Sequence, residues 1–122
     1  MTTRKLDRSE WQPYFDDVSR SIGEHEVEIE IVSPAFGDQI AAGPLGNQAR
    51  PEHAMLHGLT YDPRSDALEV VTASLDHMIL RPREIYVQEA DGVLQNVEAL
   101  DGDGNKQIIT LRPPLPLPIA AP

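Results

Sequence analysis

The sequence predicts an α+β domain: one amino-terminal amphipathic helix packed on a twisted antiparallel β-meander of about five to seven strands. Three observations predict it. Apolar residues near the start recur with helical period, the pattern then switches to strand alternation, and turn-forming clusters punctuate the rest. Short strands in this number fit an open sheet or one curled into a small barrel, and the pattern leaves both standing.

The helix is predicted over residues 9–22. Trp11, Tyr14, Phe15, Val18 and Ile22 fall on one stripe at helical spacing. Ser9 with Gln12 matches a capping box, Pro13 lies near the first turn where a missing amide costs least, and Gly23 is a stop. In HEVEIEIV, Val27, Ile29 and Ile31 alternate with Glu28 and Glu30, which is a half-buried strand with an acidic wet face. SPAFGDQIAA holds a turn at Ser33-Pro34 and a short return strand ending near Ile40. GPLGNQARPEH, residues 43–53, reads as a flexible loop.

From residue 54 the pattern is a meander. MLHGLTY and ALEVVTA are strands joined by the turn DPRSD. HMIL and EIYVQE are two short strands, or one broken at Pro82, which cannot donate to a ladder. GVLQNVEAL and KQIITLRP flank DGDGN, a strong hairpin signal. Residues 1–112 thus read as a single domain and 113–122 as a proline-rich, extended tail. The tail contains P-x-x-P at Pro113 and Pro116, without a basic residue in the register that polyproline-binding grooves use.

Composition removes several functions. Without cysteine there is neither a disulfide nor a thiolate metal site. A formal net charge of −10 repels phosphate backbones, so nucleic acid is not an expected partner. No apolar run approaches the ~18 residues of a membrane helix, and no signal-peptide core follows the start, so a cytoplasmic protein is expected.

The segments EWQPYFDDVSR, GDQIAA, LHGLTYD, LDHMILRPREIYVQEADG and VEALDGDGNKQIITLR appear in an order that resembles a family of small bacterial proteins known as domain of unknown function 5335. The resemblance runs from Glu10 to Arg112; residues 43–53 look like an insertion, and the proline-rich tail has no counterpart. It implies a compact bacterial cytosolic domain and carries no activity or catalytic residues with it.

Each chemistry-bearing residue also has a structural role open to it. Asp76-His77 invites a dyad, but adjacent residues on a strand point to opposite faces, and aspartate before a strand ties down bends. His53 and His57 have i, i+4 spacing without the glutamate of H-E-x-x-H, and as strand neighbours they lie ~13 Å apart. DGDGN places Asp101, Asp103 and Asn105 like calcium ligands, yet Lys106 and Arg112 stand where the loop needs glycine and glutamate. Tyr61-Asp62-Pro63 reads as a strand end followed by a turn, and Arg81, Arg83 and Arg64 as partners for Glu84, Asp76 or the acidic strand face. No phosphate-cradling glycine pattern or nucleophile elbow occurs. The expectation is therefore a non-enzymatic domain acting through a protein partner or as a homo-oligomer, with no catalytic residues, metal or cofactor. The alternative is a ligand-binding or enzymatic site built from Tyr61, Asp62, Asp76, His77 and Arg81, which requires those side chains to converge.

Overall fold

A computed structural model describes residues 2–32, 39–40, 54–74 and 76–117 of the chain. The loop expected at 43–53, with His53, lies outside the described residues. The first element is a strand, β1 (Thr2–Leu6), ahead of the helix α1 (Arg8–Ser21). The sequence does not announce β1, because TTRKL is short and polar and shows no period. It forms on a distant template: Thr2 to Leu6 pair antiparallel with Glu89 to Ile85 of β7 (Glu84–Ala90).

The helix starts earlier than the Ser9 cap predicts. Asp7 is the N-cap, and the Glu10 carboxylate accepts the Asp7 N–H at 2.9 Å. That amide, and behind it the Arg4 guanidinium, hold the Glu10 carboxyl below its usual range. Pro13 therefore falls in the second turn. Trp11, Phe15 and Val18 are buried as the stripe predicts. Trp11 stacks edge-on against Tyr61 with ring centroids 5.1 Å apart, and the Arg8 guanidinium covers it from outside at 4.3 Å.

The remaining strands are β2 (Glu26–Val32), β3 (Gln39–Ile40), β4 (Ala54–Asp62), β5 (Ala67–Thr72), β6 (Asp76–Leu80), β8 (Val93–Leu100) and β9 (Lys106–Pro116). All the pairings are antiparallel, in the order β1-β7-β8-β9-β2-β4-β5-β6, with β3 beside β2. This is more strands than the sequence predicts, and the sheet is open rather than closed into a barrel. The opening begins at β4. It meets β2 only at Ala54 and Met55, then leaves to pair with β5 after an irregularity between Leu56 and Gly58. Where β4 departs, α1 takes over its bare edge: the Ser19 hydroxyl donates to the Leu59 carbonyl at 2.7 Å and accepts the Leu59 N–H at 3.0 Å. One side chain thus satisfies both main-chain groups of a buried residue.

The proline-rich segment is not all tail. β9 continues through residues 113–116, Leu115 is fully buried opposite Leu94, and the Leu117 N–H donates to the Gly92 carbonyl at 2.9 Å. The domain boundary expected at 112 is therefore crossed by a strand. Alternation explains why: Leu111 and Leu115 are buried while their neighbours face out.

Candidate functional site

The hairpin of β5 and β6 carries two of the five residues of the alternative site, Asp76 and His77. Asp76 opens β6 rather than forming the bend, which lies just before it at Ala73-Ser74. Strand alternation sends Asp76, Met78 and Leu80 to the outer face and His77 and Ile79 inward. Asp76 and His77 diverge accordingly.

His77 meets Gln107 of β9, with Nε2 2.7 Å from Oε1. The Gln107 amide nitrogen donates to Asp101 Oδ2 at 2.9 Å, and a carboxylate only accepts, so Oε1 is left to accept and His77 donates from Nε2. The buried Asp101 also accepts the Asp103 and Asn105 amides, both at 2.9 Å. DGDGN is thus a hairpin turn knotted by its first aspartate, and Gly104 takes the left-handed conformation it needs, at φ 87°.

The other three candidates lie elsewhere. Tyr61 is buried on the inner face, and its hydroxyl donates to Asp66 at 2.7 Å; burial first, then that carboxylate, push the phenol above its usual range. Asp62 is exposed and accepts the Arg64 amide at 2.9 Å, which is the turn the sequence predicts. Arg81, at a left-handed φ of 50°, pairs with Asp103 at 3.3 Å, and Arg83 donates to the Gly102 carbonyl at 2.8 Å. The arginines therefore embrace the β8–β9 turn instead of Glu84 or Asp76. A Cβ on Gly102 would come within 2.6 Å of the Arg81 side chain, so only glycine fits beneath it.

The outer face of β4–β6 collects a group that sequence reasoning missed. Cross-strand register aligns Thr60, Glu69 and Met78, with Gly58, Val71 and Asp76 on one side and Asp62, Ala67 and Leu80 on the other. Glu69 shares a hydrogen bond with Asp76; that bond first, then burial and the charges of Asp76 and Asp62, raise the Glu69 carboxyl above its usual range. Met78 and Leu80 are 43% and 52% exposed on the same face.

Main-chain direction can be read from two bonds. Leu59 turns its N–H and C=O to Ser19, away from β5, so alternation points Glu69 to β4, His77 to β5, and Asp76 and Met78 to the open side of β6. The Gly102 N–H donating to the Leu80 carbonyl at 3.2 Å agrees with this parity. The last residue of β6 is thus stitched to the β8–β9 turn, while Asp76 and Met78 present main-chain groups outward.

A cleft of ≈ 690 Å³ lies on the helix side, bounded by Arg4, Glu10, Pro13, Tyr14, Glu89 and Leu117 among others. The Tyr14 hydroxyl donates to Glu89, and burial followed by that carboxylate push the phenol far above its ordinary value. Arg4 lies 5.8 Å from the Tyr14 ring centroid and 3.1 Å from Glu10, and Arg20 binds Asp17. These pairings brace the surface, holding the phenol protonated instead of poising an acid and a base. A smaller cleft of ≈ 390 Å³ lies between Thr3, Tyr86 and Lys106. Neither contains any of the five residues of the alternative site. Among the described residues, no three His, Cys, Asp or Glu side chains are grouped to hold a metal ion, and no helix is long and apolar enough to cross a membrane.

An uncharacterized protein of Aquifex aeolicus (strain VF5) is 35% identical over 119 residues, covering 97% of this chain and 99% of its own. No solved structure matches. The family described as "Family of unknown function (DUF5335)" matches residues 2–120, reaching beyond Glu10–Arg112 at both ends to take in β1 and the proline-rich strand. The chain belongs to the DUF5335 family, whose function is unknown.

Proposed function

We infer that this is a non-enzymatic contact domain of the bacterial cytoplasm, engaging a protein partner along the open side of β6 and the sheet face beside it. One observation carries the reading. An edge strand directs the main-chain groups of Asp76 and Met78 outward while Met78 and Leu80 stand 43% and 52% exposed beside them. Main-chain groups at a sheet edge bind an added strand, and adjacent apolar side chains supply the buried area. The rest of the molecule supports such a role by rigidity: Asp101, Gln107, His77 and Gly102 fix the inner side and the end of β6.

A photo-crosslinking amino acid at position 80, in protein expressed in a bacterial host, tests this. Adducts with protein should form there and not from position 64, which is also exposed but stands in the β4–β5 turn. Equal yields from the two positions would remove the reading.

A further inference from the structure

The two ends of the sheet are unlike each other in a way that names the occupant of the β6 edge. We propose that β6 receives strand β1 of a second copy of this chain, joining copies head to tail. The proposal rests on the β6 edge being the contact surface.

Among the described residues β1 and β6 terminate the sheet path, and both are five residues long, about 17 Å of strand. Their charges are opposite. TTRKL carries Arg4 and Lys5 and no acid; DHMIL carries Asp76 and no lysine or arginine, with Glu69 and Asp62 on the same outer face. Pairing two β6 edges brings Asp76 and Glu69 toward their own images, and pairing two β1 edges does the same for Arg4 and Lys5, so like charges oppose both symmetric dimers. Pairing β1 with β6 leaves no such conflict.

The faces match as well. Leu6 and Arg4 oppose the buried Ile85 and Val87, so Thr3 and Lys5 lie on the outer face. With the two sheets continuous, Lys5 of one copy falls in the row of Asp76, Met78 and Leu80 of the next. Lys5 now pairs with Glu84 at 3.4 Å, an exposed pair that exchanges partners at little cost. Because the joined patches differ, the assembly is heterologous, a ring if the rotation closes and an open fibre if it does not.

Sedimentation of the full chain at concentrations up to ~1 mM, the range of weak small interfaces, reads the association. Self-association is expected, and Lys5→Glu or Asp76→Lys should each weaken it by about tenfold or more. An equimolar mixture of the two variants should associate again, because each retains the half that the other has lost. A chain that stays monomeric at the highest concentration overturns the proposal. So does association that ignores both substitutions, or a mixture that fails to recover. If the chain is monomeric while position 80 still captures other proteins, this inference falls and the contact-domain reading stands; if both fail, both fall.

Discussion

Asp76 and Glu69 are two acids held together on one sheet face, and their pairing has a pH signature. Glu69 is the group whose carboxyl is raised, chiefly by its bond to Asp76. A raised folded-state pKa means that the folded chain binds the proton more tightly. Its stabilising contribution is full below the unfolded pKa and is lost as pH rises through the folded one. Asp76→Asn should therefore raise neutral-pH stability by about 0.2–1 kcal/mol, the scale of cross-strand like-charge pairs, and flatten the loss of stability above the normal carboxylate range. Thermal melts of both proteins from acid to neutral pH check this, and an unchanged slope would separate the two carboxylates. At this scale the sequence was half legible. Alternation alone separates Asp76 from His77, but Glu69 meets Asp76 only through a cross-strand register that no local pattern records.

The helix and β4 illustrate the same limit among elements. The apolar stripe of α1 was legible because burial is periodic, and Trp11, Phe15 and Val18 are indeed buried. Ser19 lies beside that stripe and carries no signal, although it closes the edge of β4 at Leu59. Ser19→Ala should cost about 1–3 kcal/mol, since it strands a donor and an acceptor at a buried residue. Urea denaturation measures the loss, and faster hydrogen exchange at the Leu59 amide locates it. β1 was invisible for a related reason: five mostly polar residues become a strand only because β7 is there to pair with them.

For the molecule as a whole, removing residues 113–122 is a direct test of where the domain ends. The cut takes away Leu115 and the closing pairs of β9 with β8. It should cost at least as much as Leu115→Ala, which is expected to lose about 2–5 kcal/mol in denaturant titration. A truncated chain with an unchanged midpoint would return the proline-rich segment to the status of a tail. The choice between open sheet and barrel was illegible because a side-chain cap, not a strand pattern, ends the β2–β4 ladder. The strand order also has a consequence for synthesis. β4, β5 and β6 can pair as they emerge from the ribosome, but Ile29 of β2 waits for Ile109, about 80 residues and some 4–16 s later at ordinary elongation rates. Through that interval the apolar face of Val27, Ile29 and Ile31 has no ladder on its β9 side, so a strand made early is closed only near the end of synthesis and needs chaperone cover until then.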